Sequence, residues 1–141
     1  MLCLDTNALI FATVADSPKR DSTLRAMAVG RESGDLAVTP QILREYVAVT
    51  THPRFLPKPL EHAVALDDVA TFRENFLLLS ETPDTFDLFL SLVRRHRIVG
   101  RAVHDANIAA TMPANGVTRI LTDNGADFRR FAPEIEIVGL A

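Results

Sequence analysis

Apolar positions along this chain follow two rhythms. Short, nearly continuous apolar runs bounded by turn formers alternate with longer stretches in which apolar residues recur every third or fourth position. The short runs predict strands at Met1–Leu4, Leu36–Val38, Phe76–Leu79, Arg119–Thr122 and Ile135–Val138. The longer ones predict helices. One starts over Ala8–Val14, and another is opened by Ser17-Pro18, as N-cap and N1, and runs to about Arg31. Gln41–Thr51 carries Ile42, Tyr46 and Val49 on one face and is stopped by His52-Pro53. Leu60 to about Asn75 follows. Thr82-Pro83 opens a helix whose stripe of Phe86, Leu90 and Val93, widened by Phe89 and Leu92, is expected in the core, with Gly100 ending it. His104 to about Met112 comes next, with Ile108, Ala109 and Met112 on one face and Pro113 and Gly116 as stops, and Asp127–Arg130 forms a helical turn. Strands alternating with helices put the chain in the α/β class, with a mainly parallel sheet covered on both faces. Ligands of such sheets bind beyond the carboxyl ends of the strands.

Composition narrows the class. At 141 residues and 48% apolar the chain is expected to form a single domain over 1–141, with a core that requires no staples. A lone cysteine, Cys3, excludes an intramolecular disulfide framework. No basic leader precedes the first apolar run, and the longest continuous apolar stretch, Ala8–Ala12, is far too short to span a membrane, so a cytoplasmic protein is expected. The net charge of −3 hides a bias toward arginine: 13 Arg against Lys19 and Lys58 alone. Arginine's planar fork matches phosphate better than lysine's point charge. Arg94, Arg95, Arg97 and Arg101 share an acid-free window; they are either the solvated end of a helix or a phosphate-contacting patch.

Polar chemistry collects where the strand-end rule places a site. Asp5 follows the first strand in Leu4-Asp5-Thr6-Asn7, and Asp123 and Asn124 follow Thr122, with Asp127 just beyond. Asp105 opens a helix, and Glu45 borders an apolar helical stripe. Each alone has a structural explanation: Asp5 as a helix cap, Asp105 as a first-turn acid, Glu45 as a rim carboxylate, Asp123 as a turn former. Together at one sheet edge they repel unless something positive sits among them. Oxygen ligands without Cys or paired His suit a hard cation, Mg²⁺ or Mn²⁺, and such centres serve phosphate chemistry.

Four segments then make the chain recognisable: Leu4-Asp5-Thr6-Asn7; Pro40-x-x-Leu43-Arg44-Glu45; His104-Asp105-Ala106-Asn107-Ile108-Ala109-Ala110; and Ile120-Leu121-Thr122-Asp123-Asn124-Gly125-Ala126-Asp127-Phe128. In order and spacing, over essentially the whole chain, the sequence resembles the PIN-domain family and within it the VapC-type ribonuclease toxins. The resemblance implies a three-layer α/β/α fold, a Mg²⁺ or Mn²⁺ centre and endoribonuclease activity. It also implies a small antitoxin partner and a homodimer. Asp5, Glu45 and Asp105 match the first three acidic positions as metal ligands, with Thr6, Asn7 and Thr122 in support. The fourth position departs from the family pattern. Asn124 stands where an Asp is usual, with Asp123 before it and Asp127 after it. The fourth carboxylate is then absent, replaced by the Asn124 amide oxygen, or supplied by a neighbour; alternation of side chains along the strand turns Asp123 away from the site and Asn124 toward it, and leaves Asp127 to reach across as a ligand or from behind one. Two rival functions are a phosphoryl-transfer domain with Asp5 as nucleophile, which lacks the Lys it would want after Lys58, and a catalytically silent interaction module.

Overall fold

The computed structural model describes residues 1–140. Five strands form one sheet in the order β3-β2-β1-β4-β5, and every neighbouring pair is parallel. They are β1 (Leu2–Leu4), β2 (Leu36–Val38), β3 (Leu77–Leu78), β4 (Arg119–Thr122) and β5 (Glu136–Gly139). β1 is central, and its residues are almost fully buried, as a strand covered on both faces must be. Around the sheet pack α1 (Thr6–Thr13), α2 (Arg20–Glu32), α3 (Pro40–Thr50), α4 (His62–Asn75), α5 (Pro83–His96), α6 (Ala102–Ala114) and the short α7 (Gly125–Phe128), which runs into a 3-10 turn over Arg129–Phe131. The α/β class and the parallel sheet are as the alternating pattern implies. No helix among the described residues is long and apolar enough to cross a membrane.

The core joins Leu2, Leu4, Leu36, Val38, Ile120 and Leu121 of the sheet to Leu9, Ile42, Tyr46, Ile108, Met112 and Phe128 of the helices. Each such side chain contributes about 1.5–3 kcal/mol by leaving water. Gly30 lets α2 lie close to β1, since a Cβ there would come within 2.7 Å of a Leu2 methyl carbon. The buried Tyr46 hydroxyl is satisfied by donating to Asp68 at 2.6 Å.

Several element ends differ from the sequence expectation, for identifiable reasons. α1 begins at Thr6, because the Asp5 side chain accepts from the Thr6 N–H and starts the helix two residues early. α2 begins at Arg20 with no side-chain cap, so Ser17-Pro18 does not open it. α5 stops at His96: Arg97 takes the left-handed conformation (φ 52°) usually given to glycine, and Gly100 lies beyond the end. Pro113 sits inside α6 rather than stopping it. The Phe86 and Leu90 stripe is the larger correction. Phe86 is 56% and Leu90 42% exposed, and only Phe89, Leu92 and Val93 of that stripe pack on the core. α5 lies mainly against α6, which covers one side of the stripe and leaves the other to solvent.

Candidate active site

The chain order of the strands reverses at the centre of the sheet: β1 is flanked by β2 on one side and β4 on the other. A crevice opens at the carboxyl end of such a switch point. Asp5 leaves β1 there and is 7% exposed. Its carboxylate caps α1 through the Thr6 N–H at 2.8 Å and accepts from the Thr122 hydroxyl at 2.7 Å, with the Asn7 amide at 3.4 Å. Thr122, the last residue of β4, is a hub: its hydroxyl donates to Asp5 and accepts from the Asn124 N–H at 3.0 Å. Asn7 turns its carbonyl the other way, accepting from the Asp123 N–H at 3.0 Å. This stitches the two strand ends together.

Glu45 reaches the same edge from the middle of α3. One oxygen accepts from the Thr6 hydroxyl at 2.9 Å and the other from the Gln41 amide at 2.8 Å. Asp105 projects from the first turn of α6. Burial raises its pKa to about 7, and the charges of Asp5, Asp127 and Glu45 push the same way; Arg130 acts against them. Asp5 is also held above the usual carboxylate range, by burial first, while its bonds from Thr122 and Thr6 pull it down and Glu45 and Asp127 push it up. The charges of Glu45 and Asp127 thus act on both Asp5 and Asp105, and the four acids make up one anionic cluster. Among the described residues, no three His, Cys, Asp or Glu side chains are gathered closely enough to hold an ion as they stand.

Asp123 is not part of that cluster. Its carboxylate forms an ion pair with Lys19, from just before α2. Asn124 is exposed and joins the network through its backbone N–H. Arg94, Arg95, Arg97 and Arg101 are all exposed along the α5–α6 connection; Arg95 lies over an apolar groove lined by Leu88, Leu92 and Phe131. Sequence reasoning missed three residues here. Gln41 was legible only as the residue one turn before Glu45. Lys19 pairs across 104 positions, and the charge of Arg130 acts on Asp105 from another element without an ion pair, so neither left a local signal.

Residues 2–133 match the profile described as PIN domain. The chain is 31% identical over 133 residues to Ribonuclease VapC24 of Mycobacterium tuberculosis, covering 93% of this chain and 91% of that protein. Among solved structures, it is similar in fold to a chain of VapBC2 from Rickettsia felis bound to a DNA fragment from its promoter (TM-score 0.73, 17% identity, 99% of this chain and 98% of that one). It is also similar to a chain of DNA-bound VapBC from Salmonella typhimurium (TM-score 0.67, 23% identity, 99% and 98%).

Proposed function

Because the chain belongs to the PIN domain family, we propose that it is a divalent-metal-dependent endoribonuclease, the VapC-type toxin of a toxin–antitoxin pair. One observation carries the chemistry. Asp5, buried at the switch point of the sheet, and the half-buried Asp105 of α6 are both held above the carboxylate range, by burial first and then by the neighbouring acids. A site that so opposes its own negative charge fits a cation, and its all-oxygen donor set fits Mg²⁺ or Mn²⁺. Asp5, Glu45 and Asp105 would hold the ion, with Asp127 as the fourth carboxylate. When bound, it would polarise a phosphoryl oxygen of RNA and acidify the attacking water.

The chain's own groups do the rest. Thr122 and the Thr6 N–H fix the Asp5 carboxylate, and the Thr6 hydroxyl fixes Glu45, so the donors are oriented before substrate arrives. Asp127, outside the three ligands, orients the water for in-line attack on phosphorus. Arg94, Arg95, Arg97 and Arg101 track the RNA backbone, a local attraction that a net charge of −3 makes necessary. The partners we propose are RNA, a small antitoxin protein and a second copy of the chain, in the cytoplasm. The antitoxin is supported by the VapBC complexes that share the fold.

Asp5→Asn is the direct test. Asn keeps the shape and one acceptor oxygen for the helix cap, turns its NH2 to the Thr122 hydroxyl, which can accept as well as donate, and removes the charge. The expected outcome is loss of Mn²⁺-dependent RNA cleavage by at least about 100-fold, with a melting temperature in chelator no lower than the parent's. Cleavage that persists in the variant, or in the parent under chelator, would overturn the reading.

A further inference from the structure

The two helices that supply Glu45 and Asp105 touch sparingly, and one buried side chain links them. Gln41 occupies the first turn of α3, one helical turn before Glu45 and on the same face. It is 5% exposed. Its Nε2 donates to Glu45 Oε1 at 2.8 Å and to the backbone carbonyl of His104, beside Asp105, at 3.0 Å. Its Oε1 accepts from Asn107 Nδ2 on α6 at 2.6 Å. The partners fix the amide's orientation. Turned over, Nε2 would face the Asn107 donor, and Oε1 would face two oxygens.

Packing alone does not explain this residue. A buried amide costs desolvation that a leucine of similar size avoids, and here every polar atom of the amide is committed to the acid-bearing elements. Between them, Gln41 and the Thr6 hydroxyl anchor both Glu45 oxygens. The geometry points to Gln41 as a positioning residue that holds Glu45 in register with α6, so that the carboxylates of α3 and α6 present themselves to one cation. This rests on the ribonuclease reading above, from which the role of Glu45 as a ligand is taken.

Mn²⁺ is the probe, with affinity measured by calorimetry on the intact chain. Gln41→Leu is expected to weaken Mn²⁺ binding about 10–100-fold and to lower kcat, with KM for RNA unchanged, since the partners that orient a ligand act through it. In a Glu45→Ala background, where Asp5, Asp105 and Asp127 remain, the same change is expected to alter Mn²⁺ affinity by less than about 2-fold, because the residue through which Gln41 acts is gone. Equal losses in both backgrounds, or a folded Gln41→Leu protein that binds Mn²⁺ like the parent, would overturn the inference. If Gln41→Leu does not fold, the half-buried Asn107→Ala takes its place. Its loss is expected in the same direction and is expected to vanish with Glu45→Ala; full retention of Mn²⁺ affinity counts against the inference. A parent that binds no Mn²⁺ and cuts no RNA removes the ribonuclease reading and this inference with it. A parent that binds Mn²⁺ and a Gln41→Leu protein that matches it remove only the inference.

Discussion

At the scale of single residues, the turn after β4 separates two aspartates that sequence alone leaves as alternatives. Asp127 adds its charge to those acting on both Asp5 and Asp105, whereas Asp123 is turned to Lys19. Asp127→Asn is therefore expected to lower RNA cleavage by at least about tenfold, and Asp123→Ala to retain more than about half of it, in single-turnover assays. The reverse pattern would make Asp123 the fourth carboxylate of the site. Asp5, Asp105 and Asp127 stand out in the sequence because each adjoins a strand end or helix start, where the rule for α/β sheets places function, whereas Glu45, in the middle of α3, stands out only by bordering an apolar stripe. Asp5 is the helix cap that its position suggested, and in the function proposed above it is also a metal ligand. Lys19 and Arg130 were not legible, since what each acts on lies far away in sequence; for Gln41 the spacing shows Glu45 one turn on, but not His104 and Asn107 of α6.

At the scale of elements, α5 shows what periodicity leaves open. Spacing identifies an amphipathic helix but does not say what covers the apolar face. Phe89, Leu92 and Val93 find the core, while Phe86, Leu88 and Leu90 stay exposed. In the homodimer proposed above, this face is the one to bury. Phe86→Glu combined with Leu90→Glu is expected to halve the mass seen by sedimentation while moving the melting temperature by no more than a few degrees, because neither side chain supports the folded monomer. An unchanged mass would place the contact between copies elsewhere. The misplaced starts of α1 and α2 have a related origin. Capping depends on where a side chain ends up, and Asp5 reaches its own helix while Ser17 does not cap the next.

At the scale of the whole molecule, the acid cluster sets how stability responds to pH. A group whose pKa is raised on folding binds its proton more tightly in the native state. Between the ordinary 3.8 and about 7, native Asp105 therefore keeps a proton that the unfolded chain gives up, and its contribution to stability declines as pH rises through that window. In chelator, the melting temperature of the parent is expected to fall between about pH 5 and about pH 8 by more than that of Asp105→Asn, and Mn²⁺ is expected to restore it at the upper end. Parallel curves for the two proteins would show that the cluster is not strained. Alternating strands and helices announced the parallel sheet, but the order β3-β2-β1-β4-β5 rests on crossovers that no local pattern encodes. That order has a consequence during synthesis. The hydroxyl that steadies Asp5 belongs to Thr122, 117 positions later, on the strand beside β1. At about 5–20 residues per second, a ribosome takes several seconds to travel from one to the other. Throughout that interval the emerging chain carries Asp5 without the hydroxyl that steadies it, and a product that ends before β4 never acquires that bond, so the arrangement at the end of β1 is completed only once most of the chain has been made.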